Sequence, residues 1–239
     1  MLENLRDYSR DIADIYWRSY SDGILVGADI SVTEEQINIS PGIIKFNGRI
    51  YMLSQIYQLP YTNSGKDTMI KVRFLKVRDE ADFTYGDAKV FLDEDISLQP
   101  GELELGRFQL KHGARLRMNY QDLADMVTQY NTVNMIHVPY GGIEKSTLHH
   151  QVLHYFAKEI LQNGSQNPYD ISFAMLCMNT SNVDRDVILY YLANRQGNPY
   201  KEYSNIEIHK RLVLISNEVK KGMTHSKGNY GSRGKIIVD

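Results

Sequence analysis

Leu2, Leu5, Ile12, Ile15 and Tyr16 recur at helical spacing, so residues 2 to 20 are expected to form an amphipathic helix. At Asp22 the period changes to two. Ile24, Val26, Ala28, Ile30 and Val32 alternate with Leu25, Gly27, Asp29, Ser31 and Thr33, the pattern of a half-buried strand. Ile37 and Ile39 mark a short strand ended by Pro41-Gly42. The segment ISPGIIKFNGRIYML then reads as a hairpin, because Asn47-Gly48 suits the two positive φ angles of a type I′ turn. Alternation returns at Ile70, Val72 and Phe74, at Ala88, Val90 and Leu92, and at Leu103 and Leu105, with Gly106 suited to a bulge before Phe108.

Beyond Met118 the alternation stops. NYQDLADMVTQYN places Leu123, Met126, Val127 and Tyr130 on one helical face. After the break at Pro139-Tyr140-Gly141-Gly142, Ser146-Thr147 suits a helix start and Asn163-Gly164 a helix end. DISFAMLCMNT, NVDRDVILYYLAN and NIEIHKRLVLISNEVKKG give three further helical segments. The expected fold is therefore α+β. An N-terminal amphipathic helix (1–21) precedes an antiparallel, β-sandwich-like domain (22–117), followed by an α-helical domain (118–221) and a basic, Gly-rich arm (222–239).

Composition narrows the function classes. The 239 residues are 42% hydrophobic and 23% charged, so a sizeable core is affordable to the chain. A formal net charge of −2 gives no global attraction to nucleic acid or anionic membrane. The single cysteine, Cys177, excludes an intrachain disulfide and a cysteine-based zinc cage, and fits a reducing compartment. No run reaches the roughly 18 apolar residues of a membrane span, and the charged N-terminus is not a signal peptide. Seventeen tyrosines suit protein interfaces.

Each candidate for chemistry has a plainer structural reading. PYGGIEKST resembles a phosphate loop only loosely, since Pro139 and Glu144 occupy the positions where glycines are needed. His150 and His154 share a helical face with His149 beside them. Gln151 stands where a zinc hydrolase has its glutamate, and only Glu159 or Asp170 offers a carboxylate to complete a ligand set. Cys177 lies among Met175, Leu176 and Met178, as a core thiol does. The acids of DEADFTYGD and LDEDISLQPGE read as solvated loops without a calcium-loop pattern. No catalytic, metal or cofactor site is expected. From Lys220 to the end, five basic residues face one acid, and KIIVD could add as a strand to a neighbouring sheet.

The β region DGILVGADISVTEEQINISPGIIKFNGRIYML, with Pro41-Gly42, Gly48-Arg49 and Tyr51, resembles the N-terminal part of bacteriophage tail-fibre and baseplate proteins. DTMIKVRFLKVRDE and GELELGRFQLKHGARLR continue the likeness, which spans residues 22 to 117. The resemblance implies a non-enzymatic structural part of a phage tail, tailocin or related contractile particle, such as a baseplate or fibre-attachment subunit. Such a part is made in the bacterial cytoplasm and assembled into the particle. Its partners would be other tail or baseplate proteins, in a homo-oligomer or mixed assembly, rather than nucleic acid. The chain lacks collagen-like, coiled-coil or β-helical repeats, which favours a compact subunit over a long fibre. Expected interface residues are Tyr16, Trp17, Phe46, Arg49 and Tyr51, with Lys227, Tyr230, Arg233, Lys235, Ile236 and Ile237 of the arm. A regulatory or nucleic-acid-binding protein using the helices and basic tail is the alternative, and an enzyme built on His149, His150 or His154 is a further one.

Overall fold

A computed structural model of the chain describes residues 12, 13, 15–75 and 88–222. Its strands are β1 (Gly23–Gly27), β2 (Ile30–Val32), β3 (Gln36–Ile39), β4 (Gly42–Phe46), β5 (Arg49–Leu53), β6 (Tyr57–Pro60), β7 (Asp67–Phe74), β8 (Ala88–Asp93) and β9 (Glu102–Gln109). The helices are α1 (His150–Gln162), α2 (Pro168–Asn179), α3 (Arg185–Gln196) and α4 (Asn205–Lys220). The strands form three antiparallel three-stranded sheets, ordered β1-β4-β5, β2-β3-β6 and β8-β7-β9. The chain is thus α+β, with antiparallel sheets leading into a four-helix region.

The hairpin forms as its turn chemistry predicts. Asn47 and Gly48 both take positive φ (49° and 72°), and β4 pairs with β5 from Gly42↔Leu53 to Phe46↔Arg49. The bulge also forms at the expected glycine: Ile70 pairs with Gly106 but Lys71 with Glu104, so Leu105 is the extra residue.

Three expectations are corrected. The single strand expected over 24–32 is two strands, because Gly27 and Ala28 adopt positive φ (65° and 55°) and turn the chain between sheets. The helix expected over NYQDLADMVTQYN is one 3-10 turn, Ala124–Val127. There the Asp125 carboxylate accepts from Gln121 N–H (2.8 Å) and grips Arg117, Asp122 accepts from Asp125 N–H (2.9 Å), and Leu123 N–H donates to Glu159 (2.7 Å). Side chains thereby take the backbone donors that a helix would otherwise use. Finally, α1 starts at His150 rather than near Ser146-Thr147, because Thr147 pairs with Tyr140 in a short bridge.

One hydrophobic core runs through both halves, from Ile24, Ile44 and Leu53 through Leu105 and Met135 to Phe156, Leu192 and Leu212. Residues 139–142 join the halves. Ile24 N–H donates to the Pro139 carbonyl (3.0 Å) and Gly141 N–H to the Ile24 carbonyl (2.8 Å). A Cβ on Gly141 would lie 2.6 Å from a Leu25 methyl, so PYGG is a close crossing of two chain segments.

Candidate functional site

The turn that splits the first expected strand places Asp29 beside the start of α1. Asp29 is fixed through its backbone: its N–H donates to Ser40 Oγ (3.0 Å) and its carbonyl accepts from Ser40 N–H (2.9 Å). Its side chain is half exposed and lies 4.0 Å from His150 Nε2. His149 is the N-cap of α1, its Nδ1 accepting from Gln151 N–H at 3.3 Å. The His149 and His150 rings stack at 4.6 Å, and His154 stands one turn further, 5.9 Å from His150. Tyr140 meets both leading rings edge-on, at 5.2 and 5.5 Å. Burial holds His149 neutral, its pKa pushed down to about 3, and lowers that of His150 despite the opposing Asp29 charge. His150 Nδ1 and His154 Nε2 are buried without a protein partner.

Glu159 and Asp170, the carboxylates expected to be able to complete a ligand set, are engaged elsewhere. Glu159 accepts from Leu123 N–H and from the Ser216 hydroxyl, while Asp170 accepts from Arg195 Nε (2.7 Å), Tyr191 (2.8 Å) and Ser165 (2.8 Å). The acids of LDEDISLQPGE are engaged too. Asp93 accepts from the fully buried Lys71 at 2.9 Å, and Glu102 lies 3.5 Å from the same ammonium. Burial alone would lower the Lys71 pKa, but the two carboxylates raise it; the lysine in turn lowers that of Asp93, while burial opposes a lowering of Glu102 that comes from the Gln99 N–H, Arg73 and Lys71. DEADFTYGD lies outside the described residues. In PYGGIEKST, Lys145 pairs with Glu202 (2.7 Å) and Asp186 (3.0 Å). Cys177 is buried, and burial pushes its thiol up to about 12, which opposes a thiolate nucleophile.

The expected interface residues fall into three groups. Tyr16 is 65% exposed, and Trp17 meets Tyr16 and Tyr20 edge-on at 4.7 Å each. Phe46 and Tyr51 pack on Phe74 at 4.5 and 4.4 Å, with Tyr51 buried, so both rings serve contacts within the fold, while Arg49 is exposed. Lys227, Tyr230, Arg233, Lys235, Ile236 and Ile237 lie outside the described residues.

Lys45, a residue the sequence does not single out, anchors the N-terminal segment. Its buried ammonium donates to the carbonyls of Trp17 (2.9 Å), Arg18 (3.0 Å) and Tyr20 (2.7 Å). These carbonyls follow the last helical residues, where helix acceptors lack intrahelical partners. Asp22 completes the anchor by accepting the Asn47 N–H (2.7 Å). Lys45 lies between Ile44 and Phe46, so strand alternation puts it on the face of β4 opposite those core residues, where the N-terminal segment crosses.

A second surface lies on α2. Its inward face carries Phe173, Ala174 and Cys177, while Ile171, Met175 and Met178, spaced i, i+4, i+7, are 41, 57 and 48% exposed. No helix among the described residues is long and apolar enough to cross a membrane. Comparison with protein-family models, curated proteins and solved structures gives no match.

Proposed function

We propose that the protein is a non-enzymatic structural subunit of a phage tail or phage-derived contractile particle, at the baseplate or fibre-attachment level. The observation that carries the assembly reading is the outward apolar face of α2. A helix apolar on both faces is stable when both faces are covered, and among the described residues only the inner one is. Ile12, Ile15 and Tyr16 of the N-terminal segment are likewise exposed, at the end of a segment tied down by Lys45. The particle class rests on the resemblance of residues 22 to 117. Neighbouring particle proteins would cover these surfaces.

The test is electron microscopy and mass spectrometry of tail particles produced by the genome that encodes the chain. The chain is expected in the purified particle, and replacing Ile171, Met175 and Met178 together by serine is expected to remove it while the free protein still folds. Absence of the wild-type chain from those particles overturns the proposal.

A further inference from the structure

We propose that Asp29, His149 and His150 form a binding site for a divalent transition-metal ion, joining the β2-side turn to the start of α1. Each of the three offers one ligating atom within 4.8 Å of the other two. A metal ion about 2.0–2.2 Å from imidazole nitrogen and carboxylate oxygen needs only a short further approach of these groups. Two imidazoles and one carboxylate suit a borderline ion such as zinc, cobalt or nickel better than calcium or magnesium.

One further feature supports the site. His150 turns Nε2 toward Asp29 (4.0 Å), while its Nδ1 and His154 Nε2 are buried without protein partners, so polar atoms beside the site are left for water. An ion held by three protein ligands keeps a fourth position for water.

Two effects oppose binding. The N-terminal end of α1 disfavours a cation, and the Asp29 carboxylate supplies the compensating charge. His149 must also release the Gln151 N–H, a hydrogen bond already long at 3.3 Å. The exchange replaces one weak cap with a metal bond, and that N–H lies in the first turn, where water can reach it.

The experiment is calorimetric titration of the untagged, chelator-stripped full chain with zinc chloride, paired with thermal melting. One zinc ion per chain and a raised melting temperature are expected. Asp29→Asn keeps the backbone bonds to Ser40 and is expected to weaken binding at least tenfold, as is His150→Gln. Should His150→Gln fail to fold, Asp29→Asn alone decides. No stoichiometric zinc binding by the wild type, or binding unchanged by Asp29→Asn, overturns the proposal.

Discussion

Helices α1 and α2 lie side by side and use their apolar residues in opposite ways. In α1, Val152, Leu153, Phe156, Ala157 and Ile160 all turn inward, and even the polar Glu159 is drawn into bonds with Leu123, Ser216 and Lys220. In α2 the inner face is narrower and a charge shares it: Asp170 is fully buried, while Ile171, Met175 and Met178 face out. The difference shows that α1 is completed by its own chain. For α2, the described residues supply a partner to one side only.

The largest expected effect tests the completed helix. Phe156→Ala removes a fully buried ring and should destabilise the protein by about 3–5 kcal/mol in urea unfolding. A loss below about 1 kcal/mol would mean that α1 is not the packed member of the pair. Next comes the charge that holds α2 inward. Asp170→Asn leaves the buried Arg195 guanidinium with Glu218 (3.1 Å) as its one remaining carboxylate among the described residues and should cost about 3 kcal/mol. Arg195→Met with Asp170→Leu should recover part of that loss if charge, rather than shape, sets the inward face.

A smaller effect comes from pH. His209 of α4 is buried with Nε2–H donating to the Leu123 carbonyl (2.8 Å), and burial lowers its pKa although that bond raises it. As pH falls below about 6.5 the unfolded chain takes up this proton first. The contribution of His209 to stability is therefore present at neutral pH and lost on acidification toward the lower folded value. The stability gap between wild type and His209→Gln should narrow from about pH 7.5 to about pH 5, by no more than roughly 1.4 kcal/mol per pH unit. A widening gap would reverse the assigned sign.

The smallest effect distinguishes the outer face of α2. Met175→Ser should change the stability of the free chain by no more than about 0.5 kcal/mol while lowering its association with particle partners in sedimentation. A loss comparable to that of Phe156→Ala would show that Met175 is covered within the chain.

Local chemistry made much of the fold legible. Asn47-Gly48 and Asn163-Gly164 act through backbone angles and Gly106 through the space it leaves beside Ile30 and Val133, and each marks the turn, bulge or helix end that it predicts. Strand β6 escaped notice, because YQLP is short and ends in proline at the edge of its sheet. The 118–130 segment has helical periodicity, yet Asp122, Asp125 and Glu159 divert its backbone donors, and one of these lies far along the chain. The histidines of the candidate metal site were visible as a cluster. Asp29 was not, because the sheets and α1 bring it across 121 residues to His150. Gly27 in mid-strand was the available signal that the chain turned there.

The grip of Lys45 has a mechanical consequence. A pull on the N-terminal segment reaches the body of the protein covalently through β1, the edge strand of its sheet. It also reaches β4, the central strand, sideways through the ammonium bonded to three carbonyls. A third path runs through Ser21 N–H to the Gly142 carbonyl (2.8 Å) and so toward the helices. Load applied at one end is thus divided among three routes before any single ladder of hydrogen bonds is sheared, and Lys45→Met would remove the route into the middle of the sheet.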